Sequence, residues 1–266
     1  MPSKQLIKKT VLSAALATST ALAVVAAGPL SAGAQESAPL DPAALDPAQA
    51  EAVRELVRDY LIENPDVIVE ALQIYEQRQQ AAEAERRQAA LVAQRGALNE
   101  DPSSPVLGNP EGDVTVVEFF DYRCPYCKSI ATAMRELVAE DPNVRLVMKE
   151  FPILSQESVD AARAALAAER QGLYEEFHFA LMERGGSMSE PEVMAVAESV
   201  GLDLERLRAD MQAPEIEEAL RRNYAVGDAV GITGTPAMVI GNTVVPGMVS
   251  IDRLRELVAQ ARAEAS

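Results

Sequence analysis

Cys124-Pro125-Tyr126-Cys127 holds both cysteines of the chain, two residues apart. Directly before it runs Val114-Thr115-Val116-Val117-Glu118-Phe119-Phe120, a nearly continuous apolar stretch of the kind that forms a buried strand. Directly after it, Lys128 to Glu140 carries Ile130, Met134, Leu137 and Val138 at helical spacing. Asp141-Pro142-Asn143 makes a turn, and Val144 to Glu150 alternates as a second strand. Strand, helix, strand predicts a parallel βαβ unit. A C-x-x-C turn between the first strand and the helix is the layout of a dithiol/disulfide site.

The chemistry explains the layout. The thiolate is the reactive form of cysteine, so the site must stabilise an anion. Cys124 is placed at the helix N-terminus, where free N–H groups and the positive end of the helix dipole face it. Pro125 fits the first turn, because its missing N–H would have had no partner there. Cysteines at i and i+3 can close a short disulfide. Cys124 is expected to be the exposed, attacking sulfur and Cys127 the buried one that resolves the mixed disulfide. Arg123 and Lys128 flank the pair and would add to thiolate stabilisation if they point at the sulfur.

A zinc site is the rival for C-x-x-C, but zinc takes about four ligands. This chain has two Cys and one His. That histidine, His178 in Phe177-His178-Phe179, reads as a helix residue of the core or surface. No zinc site is therefore expected, although two thiolates could still hold a soft ion such as Cu(I). Glu118 stands out as an acid inside the apolar strand. Burying a carboxylate is costly. It reads as a proton-handling group beneath Cys127, with an exposed strand face as the plain alternative. Lys149 on the next strand is a weaker candidate as its partner.

The rest of the chain sets the context. It has 266 residues, is 48% apolar and 4% aromatic, and carries a net charge of −17. Such acidity disfavours nucleic acid, whose phosphates require Lys and Arg. Lys4, Lys8 and Lys9, the uncharged stretch Val11 to Ala27, and Ala32-Gly33-Ala34 read as a secretory signal peptide over residues 1–34. An uncleaved anchor is the alternative. Export places the cysteines in an oxidising compartment, and periplasmic localisation is expected.

Residues 35–100 read as an N-terminal extension. Gln35 to Ala44 is a flexible start. Asp46-Pro47 opens a helix with Val53, Leu56, Val57 and Leu61 on one stripe, and Asn64-Pro65 breaks it. Val67, Ile68, Ala71, Leu72 and Tyr75 begin a second helix, which becomes very polar from Glu76 to Gln94. Such a helix is either a solvated stalk or part of a homo-oligomer interface. Gly96 to Gly112 reads as a linker or loop. Beyond the βαβ unit, Pro152 to Ala213 and Glu215 to Val226 are helical in several pieces. Ala237 to Gly241 and Thr243 to Pro246 form a hairpin through Gly241-Asn242, and Ile251 to Ala263 closes the chain as an amphipathic helix.

Val117-Glu118-Phe119-Phe120-Asp121-Tyr122-Arg123-Cys124-Pro125-Tyr126-Cys127 resembles the active-site strand and turn of the DsbA family. Gly234-Thr235-Pro236-Ala237 resembles its cis-proline loop, and Lys149-Glu150-Phe151-Pro152-Ile153 another shared segment. Tyr60-Leu61-Ile62-Glu63-Asn64-Pro65 is similar to the helical extension of the ScsC-like and Com1-like branch, which can support oligomerisation. The resemblance implies an α/β thioredoxin-like fold over residues 106–266. A helical insertion would occupy about 156–229, and the N-terminal helices would precede the fold.

It also implies a redox-active Cys124–Cys127 disulfide, with Thr235 and a cis Pro236 beside Cys124. Pro125, Tyr126, Thr235 and Pro236 would contact the substrate. No cofactor or metal is implied. Expected partners are reduced or misoxidised exported proteins, together with a membrane or soluble redox partner. Many oxidising members carry His where this chain has Tyr126. A neutral tyrosine removes a charge that favours the thiolate, which leaves oxidase, isomerase and reductase directions open. The other class of reading is a dithiol that handles Cu(I) or holds a client without turnover.

Overall fold

The computed structural model describes residues 45–185 and 187–265. The signal-peptide and flexible-start expectations fall on residues 1–44, outside the described residues. The chain divides into two compact units, Met1–Pro65 and Asp66–Ser266.

In the first unit, helix α1 spans Pro47–Glu63. Asp46 caps it, accepting from the Gln49 N–H while the Gln49 side chain accepts from the Asp46 N–H. This reciprocal pair satisfies donors that a helix start leaves open. None of its residues is buried.

The second unit begins with α2, Asp66–Ala93, of which only Leu91 is buried. A short helix α3 follows at Arg95–Asn99, then strand β1 at Val106–Gly108. The stretch from Gly96 to Gly112 is therefore not the linker that its glycines and prolines suggest. Leu98 is buried, the Asn99 carbonyl accepts from Arg145, and the Ala97 carbonyl accepts from Lys149. Tertiary partners from the sheet supply the order that local sequence does not encode.

The core is built on β2 (Val114–Phe120), α4 (Pro125–Glu140) and β3 (Val144–Glu150). The strands pair in parallel, with Glu118 opposite Met148 and Phe119 opposite Lys149. Among the described residues, five helices separate β3 from β4 (Ala237–Ile240): α5 (Gln156–Glu169), α6 (Tyr174–Glu183), α7 (Glu190–Ser199), α8 (Leu204–Asp210) and α9 (Pro214–Ala229). Strand β5 (Thr243–Pro246) and helix α10 (Ile251–Ala265) complete the unit. The sheet order is β1-β3-β2-β4-β5, with every pair antiparallel except β2–β3. This is the mixed α/β, thioredoxin-like arrangement expected.

Successive strand residues face opposite sides, and here both sides are covered. Val116, Phe120, Leu146, Met148 and Met238 pack with Ile130, Met134 and Leu137 of α4 and with Leu254 and Leu257 of α10. Val117, Phe119, Val147 and Val239 pack instead with Leu91, Leu98, Val226 and Val230. Full burial of a side chain such as Phe119 contributes about 2 kcal/mol, so burying both faces holds β2 firmly at the centre. Helix α9 comes close because residue 227 is glycine. A Cβ there would lie 2.8 Å from the Phe151 ring. In the β4–β5 turn, Gly241 has φ +58, a left-handed conformation that glycine adopts without steric cost.

Candidate active site

Cys124 is the N-cap residue of α4 and Pro125 stands in its first turn. The backbone geometry thus puts Cys124 against the open N–H groups at the helix start. Both cysteines are thiols. Cys127 lies one turn in and is wholly buried. Burial raises its thiol strongly, and the nearby Glu118 and the Cys124 side chain push the same way.

The expectation that Cys124 is exposed needs correcting. It is only 4% exposed. The Thr235–Pro236 peptide bond is cis, and the Cys124 thiol donates to the Thr235 carbonyl at 3.3 Å. The 233–236 loop therefore covers the sulfur, a contact between segments far apart in sequence. Tyr126, by contrast, is 61% exposed.

Neither flanking cation is committed to the sulfur. Arg123 pairs with Glu157 at 3.3 Å, and Lys128 donates to the Arg184 carbonyl. Each is drawn off by an oxygen on the helical insertion. The helix start, which Cys124 caps, is the structural feature that remains beside the sulfur.

Glu118 is 2% exposed and sits on the sheet face that carries α4. Desolvation raises its carboxyl to about 8. Lys149 is not its partner. In the parallel register Lys149 stands opposite Phe119, so its side chain leaves the other face of the sheet. There it donates to the Ala97 carbonyl at 2.8 Å and to Ser104 Oγ at 2.7 Å, with Asp101 at 3.8 Å. Its burial lowers its ammonium to about 8.

Two further residues shape the site without having been singled out by sequence. Asp121 is buried beside the motif. Its Oδ1 accepts from the Arg123 N–H, its Oδ2 from the Ile153 and Leu154 N–H groups, and its own carbonyl from the Cys124 N–H. It ties the cysteine turn to the segment after β3, where Ile153 and Leu154 expose apolar side chains. The second is Glu150, buried at the end of β3 and bonded by Tyr122 and Tyr174. An acid next to a lysine at a strand end looks solvated in sequence; only the packing of α6 reveals otherwise. His178 lies within that same buried group, in keeping with a core role.

The carbonyl of Thr235, the residue before a cis proline, held against the first sulfur of a helix-capping C-x-x-C is a thiol–disulfide arrangement. A DSBA-like thioredoxin domain model matches residues 115–259. This chain belongs to the DsbA family.

A copper resistance protein ScsC N-terminal domain model matches residues 49–82, ahead of the DsbA-like domain. A thioredoxin-like oxidoreductase from Silicibacter pomeroyi is 51% identical, with a TM-score of 0.63 over 64% of this chain and 98% of its own. ScsC of Proteus mirabilis in a transitional conformation is 30% identical, with a TM-score of 0.62, covering 84% of this chain and 100% of its own. Among curated relatives, the Na(+)/H(+) antiporter NhaA 3 of Salinispora tropica is 31% identical over 191 residues. That match takes in 69% of this chain but spans only 29% of the relative's length. The DsbA family is one of thiol–disulfide oxidoreductases, and the DsbA-like domain here retains both cysteines and the cis proline.

Proposed function

We propose that this protein is a periplasmic thiol–disulfide oxidoreductase that exchanges disulfides with exported, cysteine-containing proteins, as an oxidase or an isomerase. The single observation that carries the reading is the Cys124 thiol at the N-cap of α4, bonded to the carbonyl of Thr235 before cis Pro236. In the oxidising direction, a client thiolate attacks Cys124 Sγ of the Cys124–Cys127 disulfide and the Cys127 sulfur leaves. Glu118 supplies its proton. The client's second thiolate then attacks the mixed disulfide and releases Cys124. Two electrons and two protons pass from the client dithiol to the cysteine pair, and Glu118 regains its proton before the next cycle. A carboxyl raised to about 8 is suited to both giving and taking a proton near neutral pH. Thr235, Pro236, Pro125 and the exposed Tyr126 would line the client's path. A separate redox partner, membrane-bound or soluble, would reoxidise the pair.

Self-association belongs to the same proposal. Helix α1 exposes Val53, Leu56, Val57, Tyr60 and Ile62. The start of α2 exposes Val67, Ile68, Leu72 and Tyr75. Apolar surface in such runs marks an interaction site in a soluble chain, and a second copy is the proposed occupant.

The test is direct. Purified protein should oxidise a reduced two-cysteine peptide or rescue a scrambled disulfide protein, and Cys127→Ser should trap mixed disulfides through Cys124. A protein that binds Cu(I) or a client but turns over neither substrate would overturn the enzymatic reading.

A further inference from the structure

Beneath the cysteine turn lies a second acid that the exchange steps above leave unused. Glu150 closes β3, opposite Phe120 in the parallel register, while Glu118 stands opposite Met148. The two carboxyls therefore leave the same face of the sheet from adjacent strands, two positions apart along the register. That face carries Cys127. Glu150 is 1% exposed.

Its hydrogen bonds are one-sided. Oε1 accepts from Tyr122 Oη at 3.0 Å and from Tyr174 Oη at 2.9 Å. Oε2 is buried with no hydrogen-bond partner. A buried carboxylate oxygen without a partner is costly, whereas a proton on Oε2 removes the charge. Tyr122 has one hydroxyl hydrogen, and giving it to Glu150 leaves its oxygen to accept from His178 Nδ1 at 3.0 Å. His178 is fully buried and burial lowers its imidazole to about 3, with Arg135 of α4 adding repulsion, so it is a neutral donor. The chain His178–Tyr122–Glu150, together with Tyr174, can thus favour the ionised acid through two tyrosine donors, while burial favours the neutral one.

We propose that Glu150 is a second proton-holding carboxyl of the exchange reaction, a positioning residue that acts through Glu118 and Tyr122. The inference rests on the thiol–disulfide reading above. Negative charge that forms on Glu118 or on the Cys127 sulfur appears on the same sheet face, and Glu150 answers it by holding its proton more tightly. The groups that face it are Glu118 from β2, Asp121 and Tyr122 from the turn, and Tyr174 and His178 from α6. Asn223 of α9 donates only to its main-chain oxygen. Burial raises Glu150 well above an ordinary carboxyl, its tyrosine donors work against this, and Asp121 and Glu118 add to the rise. Charges buried this close in the register change each other's proton affinity, because little water screens them. Over a full cycle Glu150 gains and loses nothing. The client dithiol supplies the two electrons and two protons that end on Cys124 and Cys127.

The test is infrared difference spectroscopy of the full-length protein, reduced minus oxidised by dithiothreitol and oxidised glutathione, across neutral to alkaline pH. The expected result is two protonated-carboxyl bands that change with redox state. Glu118→Gln should remove one and Glu150→Gln the other. The redox equilibrium constant of Glu150→Gln should diverge from wild type by several-fold in the alkaline range. Tyr174→Phe keeps Glu150 but removes one donor to its ionised form. It should move the Glu150 band's midpoint to higher pH, which preserves the test if Glu150→Gln folds poorly. A Glu150 band unchanged between the two redox states overturns the inference while leaving the exchange reading intact. Failure of Cys124 and Cys127 to form a disulfide in glutathione buffer overturns both.

Discussion

The Cys124 thiol donates a hydrogen bond to the carbonyl oxygen of Thr235, 3.3 Å away and 111 residues further along the chain. The contact helps to bury the sulfur, while Pro125 and Tyr126 between the two cysteines stay exposed. In the proposed exchange a client would approach along the Thr235–Pro236 edge, and the exposed side chain at 126 would set the local charge.

Replacing Tyr126 with His should make the disulfide a stronger oxidant. A protonated imidazole at this exposed position would favour the Cys124 thiolate and hence the reduced form. A gain of about 1.4 kcal/mol corresponds to about 30 mV in a two-electron couple. Equilibration with glutathione measures it, and an unchanged potential would refute the charge argument.

Glu118→Gln should alter both stability and its pH dependence. Desolvation raises the folded-state carboxyl to about 8, above the ordinary value of 4.5. The folded state thus binds more protons than the unfolded state between those values, and wild-type stability declines as pH rises through that window. Glutamine cannot ionise, so the variant should gain on wild type by up to ~1.4 kcal/mol per pH unit across it. Urea unfolding at pH values spanning the window reads the difference. Mixed-disulfide resolution should be slower in the variant.

Lys149→Met should destabilise the DsbA-like unit by about 3 kcal/mol, because it strips the half-buried Asp101 of one cation and the Ala97 carbonyl of its donor. Asp101 keeps its contacts with Arg222 and Ser103, which limits the loss. The same variant should leave the reduction potential near wild type, since Lys149 faces away from the cysteines. A large shift in potential would contradict the register.

The two ends of α2 should behave differently. Leu91→Ala opens a cavity in the core and should cost about 3 kcal/mol. Leu72→Ala, at an exposed position, should change unfolding of the monomer by no more than ~0.5 kcal/mol. If α2 joins copies of the chain, Leu72→Ala should lower the mass measured by light scattering. Removing residues 46–65 should leave the DsbA-like unit folded. A cut reaching Arg95 should lower its stability by about 3 kcal/mol or more, because it takes Leu91 with it.

The central elements were legible because their signals are local. Apolar runs mark β2 and β3, a helical stripe with Pro125 in the first turn marks α4, and Gly241-Asn242 marks the final hairpin. Glu118 could be singled out because an acid among buried apolar neighbours is conspicuous. The pairing of Lys149 with Glu118 failed for want of register: the two strands are neighbours, but a one-residue offset sends the side chains to opposite faces. The stretch after Gly96 was misjudged because its order comes from Lys149 and Arg145, some fifty residues away. Counting strand parity from the cysteine motif is the one sequence signal that could have placed Lys149 correctly.

Sequence alone determined the reactive pair, its position at a helix start and the strand beneath it, because spacing and periodicity are properties of neighbouring residues. Only the tertiary structure decided that Cys124 is covered by Thr235, that Arg123 and Lys128 are engaged elsewhere, and that Glu150 lies buried with Tyr122, Tyr174 and His178. Each of these depends on which side chain a distant element brings into contact. Burial of a charge is a property of the assembled fold, and it is burial that turns an ordinary strand-end glutamate into a proton-holding group.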